Sequence, residues 1–452
     1  MKLTSRPSRK LYPYQQRDAE QLLARLANKT GYRLLYQLPT GAGKTVIFGE
    51  LVRHFLGSNT GQALVLTHRT ELCRQTSLVL KNAGVSNKIV CSDTDKIRQS
   101  YYRCFVAMVE TLKNRIDEGL FDPAKIRFVI IDEAHQNVFN KLLDHFPQAN
   151  IIGVTATPLS SDINQPLHHT YNELYTGESI SSLVKDGYLA SPSTTRYDVE
   201  LHNLQQGTGG DFTTSSSDEL YSSEDMLNLL LNAYRNVAKG RKTLIFNNGI
   251  FTSRNVCEYF SKAGYAVRHL DNNCTAEERQ EIVEWFRKTP DGILSSVSIL
   301  TTGFDEPTVR NIIIYRATTS LTLYHQMIGR GSRRLANKKR FNIIDLGGNV
   351  ERFGAWDAGI DWQGIFANPD QYLASVYGDL GNTAPAIQVE VRSNFPNTSE
   401  FSFDMQTACQ QAASDGQKLK VALNDSIRQH ALMCIENAGS IPEALALSAH
   451  LV

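Results

Sequence analysis

Two stretches decide the fold of this chain. One is Leu34-Leu35-Tyr36-Gln37-Leu38 running into Pro39-Thr40-Gly41-Ala42-Gly43-Lys44-Thr45. The other is Val129-Ile130-Ile131-Asp132-Glu133-Ala134-His135, about ninety residues further on. A glycine loop between a strand and a helix turns backbone N–H groups toward bound phosphates. Lys44 adds a positive charge for β- and γ-phosphates, and Thr45 a hydroxyl for Mg²⁺. Asp132, ending a buried strand, would hold the same Mg²⁺ from the other side. Glu133 beside it can orient an attacking water. Leu38 stands where the strict loop pattern has its first glycine, so neither stretch suffices alone. As an ordered pair, each after an apolar strand, they specify a P-loop nucleoside triphosphatase using ATP and Mg²⁺.

Working outward, short apolar strands alternate with amphipathic helices from about residue 30 to 155. Strands are predicted at 33–38, 63–67, 104–107, 128–131 and 151–154, with helices following Gly43, Arg69 and Val109. That is a doubly wound parallel sheet, with ligands at the carboxyl ends of its strands. Residues 201–223 shift to Gly, Ser, Thr, Gln and Asn, which reads as an exposed loop at a domain boundary. The alternation then restarts, with strands predicted at 243–246, 266–270, 293–296, 312–315 and 341–344 and helices at 253–263, 276–286 and 321–328. This second half has no Gly-Lys-Thr loop of its own, so ATP is expected in the cleft between two domains. Leu419, Leu423, Ile427, Ala431 and Ile435 recur every four residues as on one helix face. They and 441–451 read as a small helical appendage on the second domain.

Composition sets outer bounds. The 452 residues suffice for two or three domains. A net charge of +1 supplies no global field toward polyanions, so nucleic-acid contacts must come from local patches. Met1–Lys10 has no apolar signal segment, and no apolar run is long enough for a bilayer. A cytoplasmic protein without a membrane partner is expected, in the host cytoplasm if phage-encoded. The seven cysteines form no Cys-x-x-Cys pair, which argues for free thiols over a zinc site.

Further signals fall in order around the two stretches: Leu11-Tyr12-Pro13-Tyr14-Gln15, Leu66-Thr67-His68-Arg69-Thr70-Glu71-Leu72, Val109-Glu110-Thr111-Leu112 and Gly153-Val154-Thr155-Ala156-Thr157-Pro158. The second half adds Thr243-Leu244-Ile245-Phe246, Thr302-Gly303-Phe304-Asp305 and Gln326-Met327-Ile328-Gly329-Arg330-Gly331-Ser332-Arg333. This ordered set, over roughly residues 10–355, resembles superfamily 2 helicases with a DEAH box. It looks closest to the branch of RadD-like, XPB-like and phage branch-migration helicases.

The resemblance implies two tandem RecA-like parallel-sheet domains with a small, mostly helical C-terminal extension. Residues 1–200 form the first domain, 201–223 the boundary loop, 224–360 the second domain and 361–452 the accessory region. Thr40, Gly41, Ala42, Gly43, Lys44 and Thr45 would cradle the triphosphate, with Thr45 and Asp132 on Mg²⁺. Gln15 would read adenine. Tyr12, where relatives usually have Arg, would stack on it, and Gly303 and Asp305 would lie near ATP and ribose. Glu133 would activate water. Arg330 and Arg333 would act as arginine fingers across the cleft, and Gln326 would pair with His135 and the water. Thr155 and Thr157 would relay between ATP and the nucleic-acid track. Arg69, Thr111, Asn247 and Thr302 would grip one strand's phosphates. Arg334, Lys338, Lys339 and Arg340 read as solvated or phosphate-touching. Trp356, Trp362 and Phe353 read as core more than as base-stacking wedges. The expected activity is an ATP-dependent DNA helicase or translocase, a monomer, acting on single-stranded or branched DNA such as forks and Holliday junctions. RNA unwinding and an ATP-controlled clamp are the alternatives.

Overall fold

The computed structural model of the protein describes residues 11–91, 101–162, 164–207, 210–297 and 304–378, with residues 431, 434–435, 437–438, 440 and 442–443 near the C-terminus. It contains two all-parallel sheets.

The first sheet is built from β1 (Arg33–Gln37), β2 (Gln62–Thr67), β3 (Lys88–Val90), β4 (Cys104–Met108), β5 (Ile126–Asp132), β6 (Asn150–Thr155) and β7 (Glu173–Thr176). Its strand order is β3-β4-β2-β5-β6-β1-β7. The central strands are near-continuous apolar runs because helices cover both faces of a parallel sheet. Leu34, Leu35, Leu64, Val65, Ile130 and Ile131 are all fully buried. Because β1, β5 and β6 lie side by side, their carboxyl ends bring the glycine loop, Asp132 and Thr155 to one edge.

The second sheet has the order β10-β11-β9-β12-β13-β8. Its strands are β8 (Ser191–Arg196), β9 (Thr243–Asn247), β10 (Val267–Leu270), β11 (Ile293–Val297), β12 (Asn311–Tyr315) and β13 (Arg340–Asp345). The ten strands predicted from apolar runs are all present, within two residues at each end.

Three further strands, β3, β7 and β8, lack an apolar signature because each lies at a sheet edge with one unpaired side. β8 is Ser-Pro-Ser-Thr-Thr-Arg, and its Pro192 is tolerated because an edge strand need not donate there. β8 moves the chain into the second sheet before residue 201, ahead of the expected boundary. The expected exposed loop at 201–223 is also corrected. Thr214–Tyr221 is a helix whose N-cap Thr213 accepts from the Ser216 N–H. Its hydroxyl-rich sequence hides the signal, because Ser and Thr favour caps and turns. Buried Ser217 and Tyr221 show that one face is core.

One apolar core runs through the first sheet and continues onto one face of the second. A second core, around Tyr221, Leu230, Phe260 and Tyr315, covers the second sheet's other face. Trp356 and Trp362 are buried, and Phe353 packs on Tyr324, so the core reading of these aromatics holds. Helices Trp362–Ala367 and Pro369–Gly378 follow. The first of them touches both domains. Gln363 Nε2 donates to Leu174 O of β7 (3.0 Å), and His168 Nδ1 lies 3.0 Å from Phe366 O. Trp362 meanwhile packs on His325 of the second domain. Of the predicted 419–435 and 441–451 helices, all but a few residues lie outside the described residues. Among the described residues, no helix is long and apolar enough to cross a membrane, and no group of three or more His, Cys, Asp or Glu could hold a metal ion.

Candidate nucleotide site and interdomain cleft

The loop after β1 is shaped by two left-handed glycines, Gly41 (φ 88°) and Gly43 (φ 86°). Side chains there would be strained and crowded. A Cβ on Gly41 would fall 2.7 Å from Ser332 Oγ, and one on Gly43 2.5 Å from Gln15 Nε2. Ala42 O accepts Tyr14 OH (2.6 Å) and Gln15 Nε2 (3.2 Å). Gln15 Oε1 in turn accepts the Tyr12 N–H (3.0 Å). The amide expected to read adenine is therefore engaged with the loop itself. Tyr12, 49% exposed, forms an aromatic cluster with Tyr14 and Tyr188, its ring centroid 4.8 Å from that of Tyr188. Tyr188 carried no signal in the sequence.

Lys44 opens the helix Lys44–Ser58, with Thr45 next to it. Lys44 Nζ donates to Leu38 O (3.2 Å). Burial pulls its amine below the usual lysine value, opposed by Glu133 and Asp132. Asp132 is buried at the end of β5, and burial together with Glu133 pushes its carboxyl up to about 7. Glu133 has a left-handed backbone (φ 56°), a sparsely populated conformation for a residue with a side chain. Burial works against its ionisation. Lys44, His135, Arg330 and His68 outweigh that and hold its carboxyl below the usual range.

Gln326 Nε2 is buried with no hydrogen-bond partner among the described residues, and buried Glu133 Oε2 has a 3.4 Å approach to His135 Nδ1 but no hydrogen bond. Buried polar groups are nearly always satisfied. An ionised acceptor on one domain and a free amide donor on the other suit a phosphate-bound water. Thr45 and Asp132 are a hydroxyl and a carboxylate, the hard oxygen donors Mg²⁺ takes. The residues present thus fit ATP and Mg²⁺.

His135 does not pair with Gln326. Its Nδ1 lies 3.1 Å from Thr155 Oγ1 and its Nε2 3.2 Å from Gln136 Nε2. Thr155 Oγ1 donates to Thr157 O (2.8 Å), and Thr157 Oγ1 donates to Thr322 Oγ1 (2.8 Å) on the helix Leu321–Gly329 of the second domain. The sequence offered no marker for Thr322 beyond its place four residues before Gln326, one turn along the same face.

That helix brings the second domain onto the glycine loop. A Cβ on Gly329 would fall 2.5 Å from Thr40 Cβ, and Ser332 Oγ lies 3.4 Å from Thr40 O. Arg330 is buried. Its Nη1 donates to Phe304 O (2.7 Å), and burial lowers its guanidinium to about 10, opposed by Glu133. Arg333 pairs with Asp305 (3.0 Å), so Asp305 here holds an arginine. Thr302 and Gly303 lie outside the described residues.

Along the track expected for a strand, Arg69 caps the helix Thr70–Asn82 and is partly buried. Thr111 lies on the helix Val109–Asp117, partly exposed. Glu71 and Arg279 form an ion pair across the domains (3.2 Å). Asn247 departs from expectation. It is fully buried, and its amide donates to Ser295 Oγ (3.0 Å) and Ser296 O (3.2 Å) of β11. A strand-end Asn turned into the sheet cannot grip phosphate. Lys338, expected to be solvated or to touch phosphate, is buried as well.

Residues 8–160 match the family described as the type III restriction enzyme res subunit, and residues 223–334 match the helicase conserved C-terminal domain. The chain belongs to the superfamily 2 helicases. It is 27% identical over 340 residues to a Saccharomyces cerevisiae protein described as an ATP-dependent helicase, IRC3, covering 70% of this chain and 48% of that protein. The chain thus spans about half the length of that relative. A 51.5 kDa protein of a Lactococcus phage is 26% identical over 341 residues, covering 74% of this chain and 69% of that one. The fold is also that of a solved fragment of a type I restriction enzyme HsdR subunit from Vibrio vulnificus. The TM-score is 0.62 at 20% identity, covering 78% of this chain and 68% of that one.

Proposed function

We propose that this superfamily 2 protein is an ATP-driven DNA helicase or translocase that remodels branched DNA such as forks and Holliday junctions. The observation that carries the reading is the seating of the arginine-bearing helix on the glycine loop, which brings Gln326 Nε2, without a hydrogen-bond partner among the described residues, to the cleft that Glu133 lines.

In this reading the 40–44 backbone and Lys44 bind the β- and γ-phosphates, with Lys44 leaving Leu38 O to do so. Thr45 and Asp132 hold Mg²⁺, which when bound neutralises charge on the phosphate oxygens. Glu133, kept ionised, accepts a proton from the attacking water. Arg330, placed by Phe304 O, and Arg333, placed by Asp305, meet charge developing on the γ-phosphoryl group. Thr155, Thr157 and Thr322 transmit closure of the cleft. Arg69, Thr111 and Arg279 contact backbone phosphates from both domains, which makes binding salt-sensitive and largely sequence-independent. DNA is favoured over RNA by the restriction-enzyme family matched over residues 8–160.

The test is ATP-dependent processing of a mobile four-way DNA junction, a forked DNA duplex and a matched RNA duplex. Lys44→Ala and Glu133→Gln run alongside. Resolution of the DNA substrates by the wild type alone is expected, with turnover abolished in Lys44→Ala but DNA binding kept. Glu133→Gln should bind ATP while hydrolysing it at least ~100-fold more slowly. RNA unwinding alone, or normal turnover in Lys44→Ala, would overturn the reading.

A further inference from the structure

Both arginines of the cleft are held by one short segment, residues 304–308. Phe304 O accepts from Arg330 (2.7 Å), and Asp305 pairs with Arg333 (3.0 Å). The other side of this segment is tied into the second domain. Pro307 O accepts from Lys338 Nζ (2.9 Å). The Glu306 carboxylate lies 3.7 Å from Lys242 Nζ and 3.8 Å from Arg287 Nε.

Lys338 is fully buried, while its neighbours Lys339 and Arg340 are exposed. It forms no ion pair among the described residues. Burying an ammonium without a carboxylate is costly, so a lysine kept there needs a reason. It closes a turn with Leu335, its N–H donating to Leu335 O (3.0 Å) and its carbonyl accepting from the Leu335 N–H (3.1 Å). Arg310 braces that turn from outside, donating to Asn337 O (2.7 Å). The turn follows Arg333 directly in the chain. A ring is thereby closed, from Lys338 to Pro307, along the segment to Asp305, across to Arg333 and back along the chain to Lys338.

We propose that Lys338 is a positioning residue. Its side-chain nitrogen, donating to Pro307 O, clamps the 304–308 segment and thereby sets where Arg330 and Arg333 stand at the cleft. The inference rests on the reading above, that these arginines serve ATP hydrolysis. Lys338 itself touches neither nucleotide nor nucleic acid.

The experiment is steady-state ATP turnover of the full chain carrying Lys338→Met, Arg333→Ala, both together, or Arg330→Ala. For Lys338→Met, kcat should fall about tenfold with KM for ATP within about twofold. In the Arg333→Ala background the same substitution should cost clearly less than it does in the wild type, because the part of its effect that runs through Arg333 is already lost. An unchanged kcat, or a loss that adds in full to that of Arg333→Ala, would overturn the proposal. Should Lys338→Met not fold, Arg310→Ala loosens the same turn from the surface and should lower kcat without moving KM. Normal turnover in Arg310→Ala would then count against the proposal. Arg330→Ala separates the two readings. If it leaves turnover intact, both fall; if it lowers turnover while Lys338→Met does not, only the clamp falls.

Discussion

At the residue scale, chemistry and structure separate among side chains that look alike in sequence. Lys44 and Lys338 are both lysines withdrawn from water. Lys44 has Glu133 and Asp132 in its field, whereas only Glu306 opposes the loss of charge at Lys338. Burial, with Arg310 and Arg333 pushing the same way, lowers the Lys338 amine from its usual 10.5 to about 7. The unfolded chain keeps this proton up to about pH 10, while the folded chain releases it near 7. Between those values the unfolded state binds more protons, so this group makes stability rise with pH. Denaturant titrations should show the wild type gaining on Lys338→Met from about pH 7 to about pH 10. A constant difference across that window would mean the amine stays hydrated. Asn247 and Asn248 show the same lesson. The first is spent inside the sheet, while Asn248 lies near the Phe212 and Thr213 carbonyls. Adjacency in the sequence does not say which of the two faces solvent.

At the element scale, the apolar strands and the helices flanking the motifs were legible because their burial is periodic, while helices such as Pro13–Leu26 and Glu224–Ala233 were not predicted. The central strands are apolar runs, and the capping box of Ala276–Lys288, with Thr275 and Glu278, marks its own start. The edge strands and the Thr214–Tyr221 helix were not legible, since their stability comes from neighbours and caps. Two elements face each other across the domains through Glu71 and Arg279, whose side chains are 46% and 26% exposed. Such a half-exposed pair contributes at most about 1 kcal/mol. Its greater effect is to neutralise Arg279 close to Arg69, which feels that second guanidinium. Glu71→Gln should leave the thermal midpoint nearly unchanged yet tighten DNA binding, with a steeper salt dependence as one more cation meets phosphate. Fluorescence anisotropy at several salt concentrations reads this. An unchanged slope would place Arg279 off the track.

At the scale of the whole molecule, the domains touch through a few contacts. Among them are Gly329 on Thr40, the Thr157–Thr322 hydrogen bond and the 362–366 segment spanning from His325 to β7. The threonine bond is the narrowest of these. Thr322→Val keeps the shape and removes the hydroxyl. KM for ATP should hold while DNA-stimulated kcat drops about fivefold, and Thr157→Val combined with it should do no further harm. Full stimulation in Thr322→Val would locate the coupling elsewhere, with the 362–366 segment the next contact to cut.

The sequence by itself determined the two-sheet plan and pointed to nucleotide chemistry. The glycine loop, the Asp132-Glu133 pair and the Gln326 to Arg333 run are local patterns whose spacing alone dictates strand, turn and helix. Only the tertiary structure decided where the shared parts lie. It drew β8 into the second sheet and turned Asn247 inward. It also buried Lys338 beneath the arginines and set Thr322 against Thr157. Each of these depends on packing between segments far apart in the chain, where burial and hydrogen-bond satisfaction override local propensity.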